Sequence, residues 1–201
     1  MTYRKIREWP NEELKIKSAN IDILKDREAI NDLLDTFKVV GGYGLSAPQI
    51  GLHVRAIVIN PSALKKDDSL NNEELMLNPV IIDRKGTQVF SEACFSLPNL
   101  SLDIERSSEV LVEWKNIDGE LKRQWFSDYS SACVQHEIDH LDGVLTIDRI
   151  SQLRRSMIIK KIKKKNLEVI KASKRPSDER SRQKSLRTRK KNRIKRKANK
   201  R

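Results

Sequence analysis

Cysteine occurs twice and histidine three times in 201 residues. Two cysteines, Cys94 and Cys133, cannot make a disulfide scaffold. No apolar run is long enough to span a membrane, which excludes an integral membrane protein built on such helices. The opening Met1-Thr2-Tyr3-Arg4-Lys5 leads into no hydrophobic signal segment, so a cytoplasmic address is expected. Acidic residues are plentiful until the last quarter of the chain, where they almost vanish. Residues 154–201 carry 23 basic and 3 acidic side chains, a net +20, which leaves 18 basic and 25 acidic, a net −7, in residues 1–153. Two different physical objects therefore share one chain. Its length and its 37% hydrophobic content fit one soluble domain with a substantial core.

The scarcity of histidine makes its placement informative. Two of the three fall in His136-Glu137-Ile138-Asp139-His140, and residues four apart on a helix project from one face, the spacing needed to grip one metal ion. Glu137, beside the first histidine, is placed to move protons for a metal-activated water. The same spacing also occurs on ordinary solvated helix faces. His53, the third histidine, follows a Gly-Leu turn and reads as a surface residue. A catalytic metal site usually has three protein ligands and one open position, so a further ligand is needed. In metalloproteases that extend this motif, a glycine and then a third histidine follow. Gly143 fits the glycine, but Thr146 stands where the histidine belongs, and Glu168 lies in a lysine-rich stretch unlike a pocket wall. An internal peptidase thus lacks its expected ligand.

Upstream, Ser91-Glu92-Ala93-Cys94-Phe95-Ser96-Leu97-Pro98 places Cys94 between strand-like segments. Its thiolate is a strong ligand for a transition metal, although a cysteine without further context reads more often as a small buried hydrophobe. A third segment, Gly41 to Gly51, is a glycine-dense loop with a single amide side chain, Gln49, where backbone can approach a ligand closely. In this order and roughly at this spacing, Gly42-Tyr43-Gly44-Leu45-Ser46-Ala47-Pro48-Gln49, Glu92-Ala93-Cys94-Phe95-Ser96 and Gln135-His136-Glu137-Ile138-Asp139-His140-Leu141 resemble the peptide deformylase family over about residues 3 to 150.

The resemblance implies an enzyme that removes the formyl group from the N-terminal formyl-methionine of newly made polypeptides, releasing formate. By position, Cys94, His136 and His140 would hold the metal, iron(II) first, with zinc or nickel as alternatives. Glu137 would act as general base and then acid. The side-chain amide of Gln49 and the backbone N–H of Phe95 would stabilise the oxyanion. Gly44 and the strand around Glu92 and Ala93 would hold the peptide backbone, while Tyr43, Ala132 and Cys133 would line the pocket for the methionine side chain. Arg106, twelve residues after Cys94, would pair with Glu92 and support the ligands. Asp139 would brace the helix, with a partner that the sequence does not name. Ala93 replaces the family's usual glycine, which strains the chain only if positive φ is required there. Phe95 replaces a commoner leucine and would contribute mainly its N–H.

The pattern of elements predicts an α+β fold, with antiparallel sheets packed around a central metal-binding helix, followed by a basic helix and tail. A helix is expected over residues 26–40, with Ile30, Leu33, Leu34 and Phe37 on one stripe. Strands are expected over residues 54–59, 77–82, 110–114 and 120–126, the last two joined by an Asp118-Gly119 turn, and the metal helix over 128–141. The organisation is then a catalytic domain at 1–150, a basic amphipathic helix at 151–171, and a basic, disordered tail at 172–201. In the helix, Leu153, Met157, Ile158 and Ile162 form a stripe able to dock. The tail is suited to phosphate backbones through counterion release, and the resemblance suggests ribosomal RNA as its partner. A silent module carrying the tail alone would have no chemical need for Gln49, Cys94 and Glu137 together.

Overall fold

A computed structural model describes residues 2–61 and 73–173 of the chain. The chain divides into two units, Met1–Ser151 and Gln152–Arg201. The first contains α1 (Arg27–Val40), β1 (Gly44–Ser46), β2 (Ala56–Ile59), β3 (Glu74–Lys85), β4 (Gln88–Cys94), β5 (Leu97–Arg106), β6 (Glu109–Lys115), β7 (Leu121–Ser127) and α2 (Asp128–Leu141). The described part of the second is α3 (Gln152–Ser173).

Five strands form one antiparallel sheet in the order β1-β2-β3-β6-β7, and β4 pairs with β5 in a separate two-stranded sheet. Side chains on a strand alternate between faces, and β2 shows what this sheet covers. Ala56 and Val58 enter a cluster with Ile30, Leu33 and Phe37 of α1, while Ile57 and Ile59 enter a second cluster with Val134, Ile138 and Leu141 of α2. One helix therefore packs on each face, and all four residues of β2 are buried. The apolar spacing that predicts α1 is the spacing that buries Ile30, Leu33 and Phe37; Leu34 is only partly buried. On the other face, β6 presents Val110, Val112 and Trp114 to α2 in strict alternation. The β6–β7 hairpin turns at Gly119, whose φ of +82° suits a residue without a Cβ.

One expectation changes on inspection of the fold. The segment from Gly41 to Gly51 is more than a loop: Gly44–Ser46 is a buried edge strand antiparallel to β2, followed by one 3-10 turn over Ala47–Ile50. Three residues buried on both faces show no periodicity that sequence reasoning could detect. On α3, Leu153 and Met157 are exposed, at 74% and 64%, while Ile158 and Ile162 of the same stripe are half-buried. The expected disordered tail lies outside the described residues from position 174 onward.

Candidate metal centre and active site

Helix α2 carries the centre. Between its apolar attachments to the sheet, it turns His136, Glu137 and His140 toward the end of β4, where Cys94 is the last strand residue before a two-residue turn. All four are at most 9% exposed. One ligating atom from each of Cys94, His136 and His140 lies within 4.8 Å of the others, and Cys94 Sγ is 3.2 Å from His140 Nε2. Thiolate and imidazole donors at this separation are a fitting set for a divalent transition ion.

Burial alone would lower the pKa of His136, but charge on the Cys94 sulfur, together with hydrogen bonds to Cys94 and Glu92, holds it well above the ordinary histidine value. His140 is pushed well below it, by burial and then by the neighbouring His136. A cation is thus favoured beside the sulfur. Two buried atoms here make no hydrogen bond among the described residues, Nδ1 of His140 and Oε2 of Glu137. Burial also pushes the Glu137 carboxyl up to about 7, against the lowering effect of His136 and of a hydrogen bond with Ser46. A carboxyl in that range can both accept and return a proton at neutral pH.

Behind the ligands lies a buried ionic chain. His136 Nδ1 is 2.9 Å from Glu92 Oε2, which leaves Nε2 for a metal. Arg106 grips both oxygens of Glu92, at 2.7 and 2.9 Å, and donates from Nη1 to Asp139 at 2.5 Å. The pairing of Glu92 with Arg106 is the one expected, and Arg106 also supplies a partner for Asp139. The second partner is Arg149, which sequence reasoning missed; its Nε donates to Asp139 Oδ2 at 2.9 Å and its Nη2 to Oδ1. The side chain of Glu92 is 6% exposed and fully engaged, so in the expected backbone-holding role only its main chain is available to a ligand.

The open side is a cavity of about 650 Å³ lined by residues that include Tyr43, Gly44, Gln49, Ala93, Ala132 and Cys133. Every expected catalytic and pocket residue lines it, as do Cys94 and His136. Gln49 is oriented within it: its Oε1 accepts from both Ser46 N–H and Ser46 Oγ at 2.9 Å, so its Nε2 donor faces Cys94 Sγ at 3.5 Å and Ser96 Oγ at 3.4 Å. Ser46 is a second residue that sequence reasoning did not single out. Gly44 runs so close to α2 that an added Cβ would lie 2.7 Å from Glu137 Oε1 and 2.9 Å from Cys133 Sγ. Ala93 lies within β4 paired with Ser101 and has no positive φ, so the methyl is unstrained. The ring of Phe95 lies over Gly42 and lines the cavity, so its side chain shapes the site as well. Tyr129, also unforeseen, lines the cavity with Tyr43, ring edge to face at 4.8 Å between centroids.

Residues 3–156 match the family described as polypeptide deformylase. A peptide deformylase of Stenotrophomonas maltophilia is 33% identical over 169 residues, covering 82% of this chain and 96% of that protein. The crystal structure of a peptide deformylase from Legionella pneumophila superposes with a TM-score of 0.73 at 30% identity, covering 87% of this chain and 100% of that one. A peptide deformylase from Ehrlichia chaffeensis in complex with actinonin has a TM-score of 0.72 at 28% identity, covering 82% and 98%. The chain belongs to the polypeptide deformylase family.

Proposed function

We propose that Cys94, His136 and His140 hold one divalent metal ion and that the surrounding side chains perform hydrolysis of the formyl group on the N-terminal formyl-methionine of nascent polypeptides, with release of formate. The observation that carries this reading is the buried convergence of one sulfur and two imidazole nitrogens within 4.8 Å, beside a cavity that Cys94 and His136 line. When bound, the ion supplies Lewis acidity that makes water a nucleophile near neutral pH. Glu137 takes the proton from the attacking water and returns it to the departing amine, a role supported by its burial and its pKa near 7. Gln49 Nε2, oriented by Ser46, donates to the former formyl oxygen as charge develops on it, with the backbone N–H of Phe95 as second donor. Gly44 and the main chain at Glu92 and Ala93 hold the peptide backbone, and Tyr43, Ala132 and Cys133 receive the methionine side chain. Arg106 and Asp139 hold Glu92 and α2 in place.

Iron(II), the metal that the family likeness suggests, is the proposed native metal, with zinc and nickel as alternatives that a mixed thiolate and imidazole set also suits. Among the described residues no helix is long and apolar enough to cross a membrane, and a cytoplasmic site of action is proposed. The net +20 of residues 154–201 supports a salt-sensitive contact with ribosomal RNA. Anaerobic purification, metal analysis and formate release from a formyl-Met peptide test the main reading. One equivalent of metal with formate release is expected; cleavage of an internal peptide bond without formate would point instead to a peptidase, and metal-free, inactive protein to a silent module.

A further inference from the structure

The catalytic cavity and a second, polar cleft lie on different faces of α2. Ala132, Cys133, His136 and Glu137 face the cavity, whereas Gln135, Ile138, Asp139 and Asp142 face a cleft of about 330 Å³ that Arg84, Arg106 and Arg149 also line. The two faces are joined by one run of charged contacts, Arg149 to Asp139 to Arg106 to Glu92 to His136. Of its members, Arg149 alone is substantially open to solvent, with its side chain 44% exposed against 3% for Arg106 and 12% for Asp139.

We propose that Arg149 is a positioning residue for the metal ligand His136, acting through Asp139, Arg106 and Glu92. This rests on the reading that Cys94, His136 and His140 hold the metal. The argument concerns how one carboxylate is shared. Asp139 lies three residues after His136, on the same turn of α2, and receives two guanidinium groups, Arg106 through Nη1 and Arg149 through Nε and Nη2. Because Arg149 engages both oxygens of Asp139, Arg106 spends one nitrogen there and keeps Nε and Nη2 for a two-point grip on Glu92. That grip fixes the carboxylate that orients the His136 ring through Nδ1. Without Arg149, Asp139 falls to Arg106 alone, and the two buried carboxylates compete for one guanidinium. The Glu92 grip loosens and the imidazole loses its fixed aim. Arg149 follows the 3-10 turn Thr146–Asp148, in which Thr146 and Ile147 are buried and Asp148 pairs with Lys15, so the anchor of this run of contacts comes from the end of the domain rather than from α2 itself.

Loss of a partner that orients a metal-bound histidine commonly costs 10- to 100-fold in metal affinity; for a residue four contacts removed from the ring, about a 5- to 10-fold faster metal loss is expected. The full-length protein, loaded anaerobically with cobalt(II), is mixed with excess chelator and its absorption followed. Arg149→Met is expected to release cobalt about 5 to 10 times faster and to shift the ligand-field bands. Arg149→Lys, which retains the charge but not the two-point contact, is expected to fall between Met and wild type. Arg55→Met removes the pair with Asp142, the residue that caps the C-terminal end of α2 and lies outside this run of contacts, and is expected to leave both readouts at their wild-type values even where it lowers thermal stability. Wild-type release and spectrum in Arg149→Met, or equal changes in Arg55→Met, would overturn the positioning role. Absence of a thiolate-to-cobalt band in the wild type would instead overturn the metal assignment beneath it.

Discussion

Replacing Gly44 with alanine tests how tightly the strand and the metal helix are fitted. The added Cβ would sit 2.7 Å from Glu137 Oε1, 2.9 Å from Glu137 Cγ and 2.9 Å from Cys133 Sγ, where ordinary contact begins at 3.4 Å. The φ of Gly44 is not positive, so the obstacle is steric and not conformational. The main chain of β1 is held to β2 by its register at Ile59, so relief must come from α2, and the carboxylate must move by about 0.7 Å. Overpacking of this kind typically costs about 1–3 kcal/mol of stability. A misplacement of about 1 Å at a reacting group can cost about 100-fold in rate, so Gly44→Ala is expected to lose about 10- to 100-fold in kcat/KM. The assay is formate release with metal content and melting temperature measured on the same sample. Adding Cys133→Ala removes the sulfur contact and is expected to restore part of the stability but little of the activity, because the Glu137 contact remains. Full activity in a metal-replete Gly44→Ala protein would refute the placement of the general base against β1.

Gln49→Ala, which removes the donor oriented by Ser46, is expected to cut turnover about 100-fold or more with metal content retained; undiminished turnover would contradict the oxyanion role. Burial would raise the pKa of Glu92, but its hydrogen bonds with Arg106 and His136 more than reverse this and hold it below its ordinary value near 4.5. Such a group stabilises the fold above that ordinary value and loses its contribution as pH falls through the depressed one. In urea unfolding of metal-free protein, the advantage of wild type over Glu92→Gln is therefore expected at neutral pH and to shrink below about pH 4.5. Removal of residues 172–201 is expected to weaken salt-sensitive co-sedimentation with ribosomes while sparing hydrolysis of a free formyl peptide.

The parts legible in the sequence were those written at short range. The four-residue spacing of His136 and His140 is a property of any helix, and the alternation of Val110, Val112 and Trp114 is that of a strand with one covered face. What joins the site across the chain is different in kind. Arg149 reaches Asp139 only because a 3-10 turn redirects the backbone after α2, and Arg106 reaches it across 33 residues from the end of another sheet. No local spacing encodes either contact. Cys94 could be placed near the histidines only by family likeness, since periodicity assigns it to a strand and nothing more. Ser46 was hidden for a third reason: its work is to hold the amide of Gln49, and a serine in a glycine-rich segment reads first as a turn residue.

X-ray absorption at the metal edge of the anaerobically prepared zinc form tests the central claim most directly. Coordination by Cys94, His136 and His140 predicts one sulfur near 2.3 Å and two imidazole nitrogens near about 2.0–2.1 Å, with the sulfur shell lost in Cys94→Ser. A wild-type spectrum without sulfur, or one unchanged in Cys94→Ser, would contradict it.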